Sequence, residues 1–498
     1  MTNFISAWRF GRQTASDTSG WVRWTTDVDV VRSLIATDLN EEIHFTGDGV
    51  PKTTDTLLAF SSPTTAGPAQ WQTLGVPAPT AAMTTPTVLV AGSGPPEERV
   101  YIDTYVNGRG RESAPGIAVR VTVNGGTTMN FPGFSAVPSG QHGIALRRVY
   151  VSTDGGDFVL CLEQAAATTT GTDNGTRNTA QILQSGGDES KPAWLPPLDQ
   201  MTGIITLWNG MLGGFVGKSY MVCEPYKAWA WPVEYREILP DDIIGTGRWL
   251  QNWVILTTEQ PYIVTGSGPL NMGHQPVEFR QACVSKRSVV SVGHGVAWAS
   301  PNGLCYIGQG GAQVLTEGIF TPEQWQALNP STMHCATWER YIMVFYDAGG
   351  TERGLMIDPL NVRDGVIHFT PEAIGTFYDP ISDRLYLLRQ NAVIARWNAG
   401  SVLQAVWKSP VMRAPVGTNA GYARIIAEEP VSVVFTLWAN VLQPNQTRQW
   451  TQVFSATVTN SEPFALPSGY EAQEFQFQIA STGFVQGVMI GEDIDDIP

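Results

Sequence analysis

A pattern of apolar strands that returns about every forty residues dominates the chain between Met201 and Trp397. In each copy a short apolar strand ends at a tight polar turn, and a second apolar strand leads to an exit marked by Gly or Pro. Marker residues of five copies stand 41, 44, 44 and 42 residues apart: Trp208, Trp249, Gly293, Thr337 and Asp379. A period of roughly 40–50 residues with several strands per unit is typical of a β-propeller. We therefore predict a propeller over residues 191–402, with a further blade closed near Pro225–Ile238 or by a neighbouring segment.

The composition favours an all-β fold. Among 498 residues there are 51 Gly and 33 Pro, and only 15% of the residues are charged. Turn residues are therefore abundant and helix-forming runs are scarce. The length exceeds a single core and predicts roughly two to four domains. The one helix of note is predicted at Pro322–Leu328, with Thr321 as N-cap and Gln324 completing a capping box.

The flanking regions predict three more parts. Residues 1–85 contain strands at Asp27–Ile35 and from Ile43 to a turn ending at Lys52, and they form an N-terminal segment and linker. Residues 61–98, which include the end of this segment, are rich in Ser, Thr, Pro, Ala and Gly, which is typical of a connector with little core of its own. Residues 403–498 form a C-terminal segment, with these predicted strands: Val431–Trp438, Trp450–Val458 and Phe475–Ile479.

Residues 86–190 predict a small inserted β-sandwich of fibronectin or immunoglobulin type. Alternating runs meet at Asn107-Gly108, and a further run leads into Asn124-Gly125-Gly126. Asn-Gly between alternating runs is the strongest short hairpin signal. The end of this region, residues 163–190, is rich in Thr, Gly and Asn and predicts a mobile surface loop or linker.

Charge and cysteine usage exclude several classes of protein. The net charge is −15, and no basic stripe suited to sequence-specific nucleic-acid binding is visible. The five cysteines are odd in number and widely spaced, which argues against a zinc ribbon or a disulfide scaffold. We expect no signal peptide and no membrane-spanning segment, because the chain has neither a charged leader before an apolar run nor an apolar stretch near 18 residues. Folding in a reducing cytoplasm follows.

No catalytic, cofactor-binding or metal-binding motif emerges. Acidic pairs occur at Glu41-Glu42, Asp241-Asp242 and Glu428-Glu429, but each lies beside turn residues, so solvated turn positions are the simpler interpretation. Gly266-Ser267-Gly268 lacks the strand–turn–helix setting of a hydrolase nucleophile. The six histidines have no metal-binding spacing. We predict no enzyme, no cofactor and no metal.

Several stretches, in their order along nearly the whole chain, resemble the tail nozzle (tubular tail) proteins of short-tailed bacteriophages and related virion proteins. Tyr101–Pro115 resembles a strand and turn of that family's inserted sandwich, although Arg111 stands where an acidic residue is commoner. Ala465 replaces the usual Arg before Leu-Pro-Ser-Gly, which puts any salt bridge of that Arg in doubt. The other matching stretches are Asp27–Arg32, Ile43–Lys52, Leu74–Pro79, Trp407–Ser409, Ala423–Ile425 and Phe464–Tyr470.

The resemblance implies a homohexameric ring at the distal end of a virion tail, assembled in the host cytoplasm. The N- and C-terminal segments would join into one platform beneath a head-to-tail adaptor, with the propellers forming the nozzle wall. The ring would retain and then pass genomic DNA, dock fibres or a plug or needle, and meet the host surface at infection. An acidic chain without a basic groove suits a channel through which DNA slides.

Two other functions stay open at the level of sequence. One is a receptor-binding or carbohydrate-binding propeller, which would expose aromatic clusters at one face. The other is a propeller enzyme acting on polysaccharide, which needs an acidic pair in a cleft at the propeller axis. The acidic candidates for that site are Asp241, Asp242, Asp347, Asp358 and Asp379. A loop such as Asn271-Met272-Gly273 could constrict a channel, although an ordinary exposed loop is the simpler interpretation.

Overall fold

The computed structural model describes residues 3–11, 20–35, 37–187, 191–350, 352–362, 365–428, 432–443 and 447–497. Strands dominate it, and the all-β prediction is confirmed. The chain divides into two compact units, Met1–Trp397 and Asn398–Pro498. The second unit begins close to residue 403, where the sequence predicts the start of the C-terminal segment.

The first unit opens with a two-stranded sheet and a four-stranded antiparallel sheet. Their strands are β1 (Ser6–Arg9) and β2 (Trp21–Trp24), followed by β3 (Asp29–Arg32), β4 (Ile43–Thr46), β5 (Lys52–Thr54) and β6 (Gln72–Thr73). A one-turn helix, α1 (Thr56–Ala59), lies between β5 and β6. It begins at Asp55, whose carboxylate accepts hydrogen bonds from the N–H groups of Leu57 and Leu58.

Two further sheets lie between this start and the predicted repeats, and they share one hydrophobic cluster that includes Tyr101, Phe131 and Val149. The three-stranded sheet has the order β13-β10-β7 and the five-stranded sheet the order β14-β12-β11-β8-β9. Their strands are β7 (Thr87–Val90), β8 (Pro96–Asn107), β9 (Val119–Asn124), β10 (Thr128–Phe131), β11 (Ile144–Thr153), β12 (Val159–Ala165), β13 (Gly171–Asp173) and β14 (Asn178–Ile182).

Two predictions about this region need correction. Residues 61–98 are more than a connector, because Leu74, Val76 and Met83 are buried and β7 belongs to a sheet. Residues 163–187 contribute β13 and β14 to the two sheets, where the sequence predicts a loop or linker. Short strands in Thr- and Gly-rich sequence carry little hydrophobic alternation, so their pairing depends on neighbours distant in sequence.

The predicted repeats form five successive antiparallel sheets, four of four strands and a last one of three. The first sheet contains β15 (Thr202–Thr206), β16 (Leu212–Val216), β17 (Ser219–Val222) and β18 (Arg236–Ile238). The second contains β19 (Ile243–Trp249), β20 (Asn252–Thr257), β21 (Pro261–Thr265) and β22 (Gly273–Pro276). The third contains β23 (Val290–Val292), β24 (Gly295–Ser300), β25 (Gly303–Gly308) and β26 (Gly311–Val314). The fourth contains β27 (His334–Trp338), β28 (Tyr341–Asp347), β29 (Glu352–Ile357) and β30 (Val366–Phe369). The last contains β31 (Gly375–Asp379), β32 (Arg384–Arg389) and β33 (Val393–Arg396).

Each of the five predicted repeats thus lies in a sheet of its own. The predicted helix is confirmed as α2 (Pro322–Gln326), with Thr321 as N-cap and Gln324 in a capping box. The proposal of a further blade near Pro225–Ile238 is wrong, because that segment supplies β18, the fourth strand of the first repeat's sheet.

The β3–β6 sheet and the five repeat sheets of the first unit follow one another in succession. The first strands β3, β15, β19, β23, β27 and β31 each contact the next, and β31 also contacts β1. The hairpin of β1 and β2 then packs through Trp8 and Trp24 into one hydrophobic cluster with Val28 and Phe45 of the β3–β6 sheet region. The N-terminal hairpin therefore lies between the last sheet and the first.

The second unit contains a five-stranded and a three-stranded sheet around one hydrophobic cluster that includes Phe435, Leu437 and Ile425. Its strands are β34 (Ala405–Lys408), β35 (Met412–Thr418), β36 (Tyr422–Ala427), β37 (Val433–Leu442), β38 (Arg448–Val458), β39 (Phe464–Ala465), β40 (Ala472–Ser481) and β41 (Val485–Gly491). The five-stranded sheet runs β34-β40-β37-β38, with β35 also paired to β40, and the other runs β39-β36-β41. The three strands predicted here correspond to β37, β38 and β40.

Candidate functional site

A polar cavity of about 190 Å³ lies where first strands of the sheet succession converge. Its walls come from β1, from the segment that enters β3, from the turn before β23, and from β27 and β31. We name its four charged residues and its histidine the central cluster: Asp27, Asp29, Lys286, Arg287 and His334. Successive sheets converge here, so the cluster holds together parts of the chain that are far apart in sequence.

Lys286 forms ion pairs with both carboxylates of the central cluster. Its Nζ lies 3.0 Å from Asp27 Oδ2 and 2.6 Å from Asp29 Oδ2. Burial alone would lower the pKa of Lys286, but the attraction of Asp29 and Asp27 together raises it. The lysine is therefore a firmly charged cation between two carboxylates.

Asp29 also accepts hydrogen bonds from residues of the neighbouring sheet. Its Oδ2 accepts a hydrogen bond from the N–H of Gly203 at 2.9 Å and lies 3.4 Å from Thr202 Oγ1. Gly203 has a left-handed backbone (φ +66), and a Cβ there would collide with the Phe215 ring, so the position needs glycine. Burial pushes the pKa of Asp29 upward, while Lys286 and the Gly203 N–H oppose that push.

Arg287 and His334 complete the wall. Arg287 Nη2 donates to the backbone carbonyl oxygens of Ile374 at 2.6 Å and Ile5 at 3.3 Å. It thereby joins the β31 sheet to the N-terminal hairpin. His334 is buried, with its ring stacked on Phe345 at 5.0 Å, and burial together with the positive Arg287 keeps its pKa well below the usual range. Its imidazole is therefore neutral near pH 7.

The arrangement bears directly on hydrolytic chemistry. Two carboxylate oxygens that both contact one ammonium nitrogen lie less than about 6 Å apart, within reach of the spacing of about 5–5.5 Å in retaining glycosidases. Here, however, Lys286 lies between Asp27 and Asp29 and forms an ion pair with each. A bond to be cleaved would have to displace this ammonium group. In its observed state the cluster is an ion-paired junction between sheets.

The structure does not bring the five acidic candidates together. Asp379 is fully buried and pairs with Arg9 at 3.4 Å, which ties β31 to the N-terminal hairpin. Asp358 pairs with Arg340 at 2.9 Å. The remaining three lie elsewhere: Asp241, just before β19, accepts a hydrogen bond from Tyr262; Asp242, beside it, is exposed; and Asp347, the last residue of β28, accepts one from the Gly350 N–H.

Sequence reasoning missed Asp27, Asp29 and Lys286 as a site. Asp27-Val28-Asp29 does carry a signal, because residues i and i+2 of an extended segment point to the same face. The lysine stands 259 positions further along the chain. Nothing in the sequence pairs it with the two carboxylates.

A second polar cluster, which we name the Glu42 clamp, fastens the turn after β8 to the β3–β6 sheet. Arg109 contacts Glu42 and Asp55, each at 2.6 Å, and Arg111 contacts both oxygens of Glu42 at 2.7 and 2.5 Å. Arg111 also lies over the Trp229 ring, 5.4 Å from its centroid. The clamp thus connects the inserted sheets to the sheet succession.

The clamp corrects the interpretation of Glu41-Glu42 as a solvated pair. Both side chains are buried, and Glu41 accepts a hydrogen bond from the Gly11 N–H at 3.0 Å. The solvated interpretation does fit Asp242 and Glu428, which are exposed, whereas Glu429 lies outside the described residues. Arg111, which stands where the resemblance leads us to expect an acidic residue, is one of the two arginines that pair with Glu42.

His44 lies against the Glu42 clamp and is itself buried, with Nδ1 3.1 Å from Thr53 Oγ1. Burial is the main reason that the pKa of His44 falls to about 4, and Arg111 and Arg109 push it the same way, whereas Glu42 opposes them. Burial would raise the pKa of Glu42, but His44, Arg111 and Arg109 hold it at about 2. At neutral pH the clamp therefore contains an anionic Glu42 and a neutral His44.

Other candidate chemistry is limited in the part of the chain that the structure describes. No group of three or more His, Cys, Asp or Glu side chains there could hold a metal ion. All five cysteines are free thiols, and burial raises the pKa of each: Cys161, Cys223, Cys283, Cys305 and Cys335. Ser267 lies in an exposed loop and receives the Asn271 side-chain amide. None of the described helices is long and apolar enough to cross a bilayer.

Comparisons with known proteins give no family. No family model matches the chain, and neither does any curated protein. Among solved structures, an exported protein from Bacteroides fragilis is 10% identical, covering 48% of this chain and 76% of that one, at a TM-score of 0.27. A glycoside hydrolase family 32 protein from Bifidobacterium adolescentis is 9% identical, and the match covers 82% of this chain and 99% of that one at a TM-score of 0.20. A glycoside hydrolase family 43 arabinoxylan arabinofuranohydrolase from Bacillus subtilis is 7% identical, and the match covers 82% of this chain and 94% of that one at a TM-score of 0.20. Likeness this distant carries no functional argument.

Proposed function

We propose that this chain is a structural protein of a bacteriophage tail, the nozzle at the distal end through which genomic DNA is retained and then passed. The proposal starts from the ordered resemblance of Asp27–Lys52, Tyr101–Pro115 and Trp407–Tyr470 to tail nozzle proteins. In this proposal the sheet succession of the first unit is a β-propeller closed by the N-terminal hairpin. The two inserted sheets form a β-sandwich of fibronectin or immunoglobulin type.

The observation that carries the proposal is the ion-paired central cluster. Propeller enzymes and lectins need free polar groups where their sheets converge. Here Lys286 is held by two carboxylates, and Arg287 is bound to two backbone carbonyl groups from different sheets. The polar groups at the convergence are engaged in joining sheets, which suits a rigid wall element.

The proposed assembly is a homohexameric ring in the virion tail, put together in the host cytoplasm. It docks on the head-to-tail adaptor on one side and carries fibres and a plug or needle on the other. The net charge of −15 supports a lumen that repels DNA along its length and does not bind it. The Glu42 clamp, which fixes the inserted sheets, would keep the wall rigid during ejection.

The test is imaging of the purified chain and of virions that contain it. A ring of this chain at the distal end of the tail, around a channel wide enough for duplex DNA, is the expected result. A protein that never enters virions, or that sits in them away from the tail, would refute the proposal.

One observation favours a second function, the binding or cleavage of carbohydrate. The carboxylates of Asp27 and Asp29 lie close enough for a glycosidase pair, and burial pushes the pKa of Asp29 upward as in a general acid. This function requires Lys286 to leave the pair when a glycan binds. Assays of the purified chain on host-surface glycans, with Asp29→Asn and Asp27→Asn alongside, decide it. Cleavage that either variant abolishes would establish this function over the structural one.

A further inference from the structure

A polar cavity of about 340 Å³ lies where the inserted sheets meet the β3–β6 sheet. One wall is formed by α1 and by the start of β6, and the other by the connection between β10 and β11. Two contacts join the walls: the Thr73 N–H donates to the Gln141 carbonyl oxygen at 2.8 Å, and Thr73 Oγ1 lies 2.9 Å from His142 Nδ1. The cavity is therefore a built feature of this junction, apart from the central cluster and the Glu42 clamp.

Three glutamine side chains supply most of the polar groups of this cavity. Gln70, Gln72 and Gln141 line it, and their side-chain amides have no hydrogen-bond partner within the described part of the chain. The Gln72 Oε1 atom is buried as well as unpartnered, which is unfavourable for an amide oxygen. A donor group in the cavity can reach this oxygen after a rotation of the amide about its last torsion angle.

The neighbours of the Gln72 amide hold it in place. Gly143 has a left-handed backbone (φ +66), and a Cβ there would collide with the Gln72 amide, so the loop can lie this close only with glycine. On the other side of the sequence position, the Trp71 ring is held by the Lys52 ammonium group, 4.5 Å from its centroid. The indole N–H of Trp71 makes no hydrogen bond to any described residue and adds a further donor to the lining.

The lining lacks the groups that attract an ionic ligand. The described residues that line the cavity include no Asp, Glu, Lys or Arg. His142 serves the loop itself, because Nδ1 lies 2.9 Å from Thr73 Oγ1 and Nε2 lies 3.1 Å from the Ser139 carbonyl oxygen. Phosphate and carboxylate ligands usually rely on Arg, Lys or a series of backbone N–H groups. The lining therefore favours a neutral ligand.

The same lining suits a sugar ring. An amide both donates and accepts hydrogen bonds, as a hydroxyl group does. Apolar residues offer contacts to the C–H groups of a ring: Leu58, Val137, Pro138 and Ile144. The volume of about 340 Å³ lies near the lower end of the roughly 300–1,000 Å³ of small-molecule sites, so a ligand of one or two rings fits.

We propose that this cavity binds a neutral pyranose sugar, with hydrogen bonds from its hydroxyl groups to the amides of Gln72 and Gln141 and with Trp71 at one side. The site is separate from Asp27 and Asp29, and it binds a sugar without cleaving it. The inference goes beyond the proposed function, since each copy in a ring would carry one such site. Its failure would leave the nozzle proposal standing.

The test is saturation-transfer NMR and titration on the full chain with three neutral probes, the methyl pyranosides of glucose, galactose and mannose. Glucuronate and inorganic phosphate are the charged probes. The variants are Gln72→Leu, which keeps the size of the side chain and removes its amide, and Gln141→Ala on the exposed loop. Gln313→Leu is the matched control, because Gln313 is an exposed glutamine on β26. Circular dichroism and thermal unfolding check that each variant folds.

At least one neutral probe should bind, and Gln72→Leu and Gln141→Ala should each weaken its binding about tenfold through the lost hydrogen bonds, whereas Gln313→Leu should bind like wild type. If Gln72→Leu does not fold, Gln141→Ala decides alone. The proposal is overturned if no neutral probe binds or if binding is the same in both variants as in wild type. Tighter binding of glucuronate or phosphate than of every neutral probe would also overturn it, since the site would then recognise charge.

Discussion

Replacing the buried His44 should remove a defined part of the acid sensitivity of this fold. In the folded state the pKa of His44 is lowered from 6.5 to about 4, first because the ring is buried and then because Arg111 and Arg109 lie near. Below pH 6.5 His44 is protonated in the unfolded chain, whereas in the folded chain it stays neutral until the pH approaches 4. The contribution of the neutral imidazole to the free energy of unfolding is therefore complete above pH 6.5 and is lost as the pH falls towards 4.

The magnitude follows from the two pKa values. Each pKa unit corresponds to about 1.4 kcal/mol, so a drop from pH 7 to pH 5 should cost about 2 kcal/mol of unfolding free energy through this residue. Glu42 titrates with a pKa of about 2 and stays out of this range. Asp103 acts in the opposite sense, because burial raises its pKa to about 6 and its contribution is lost as the pH rises through that value. The comparison must therefore be between variant and wild type.

The assay is urea unfolding followed by tryptophan fluorescence at pH 7 and at pH 5. His44→Asn retains a polar group that can reach Thr53 and removes the titrating ring. The variant should be less stable than wild type at pH 7, yet it should lose about 2 kcal/mol less between the two pH values. His368→Asn, at an exposed position on β30, is the control. If His44→Asn shows the same loss between pH 7 and pH 5 as wild type, the account of a neutral buried imidazole is refuted.

Three further substitutions test the polar clusters and the helix cap. Lys286→Met should lower stability by about 1–3 kcal/mol, less than for a fully buried pair because the groups are partly exposed, and Asp29→Asn in the same chain should recover part of the loss in a double-mutant cycle. Arg111→Lys should cost about 1–3 kcal/mol because a lysine cannot reproduce its two-oxygen contact and ring stacking, whereas Arg120→Lys at an exposed ion pair should change urea unfolding by less than about 0.5 kcal/mol. Thr321→Ala should cost about 1 kcal/mol through loss of the N-cap, and an unchanged thermal midpoint would show that this cap contributes nothing.

The sequence predicts those parts of the fold whose signals are local. The repeats between Met201 and Trp397 and the helix begun by Thr321 depend on short-range periodicity and capping, and each lies where its pattern places it. The hairpins predicted at Asn107-Gly108 and Asn124-Gly125 are wrong, because β8 and β9 are joined across residues 108–118 and β9 and β10 belong to different sheets. The C-terminal strands likewise follow from their apolar runs.

The parts that could not be predicted depend on partners far apart in the chain. Arg9 meets Asp379 across 370 positions, which brings the N-terminal hairpin beside the last sheet. The local sequence of Glu42 predicts a solvated residue, yet Glu42 is buried because Arg109 and Arg111, 67 and 69 positions away, supply its counter-charges. Local patterns determine strands and turns, whereas burial of a charge depends on which sheets become neighbours.

The most direct test of the central claim is the copy number and position of this chain in purified phage particles, measured by quantitative mass spectrometry with symmetry-resolved imaging of the tail. The account predicts a homohexameric ring at the distal end of the tail. Particles that lack the chain, or that carry it as single copies away from the tail tip, would contradict it.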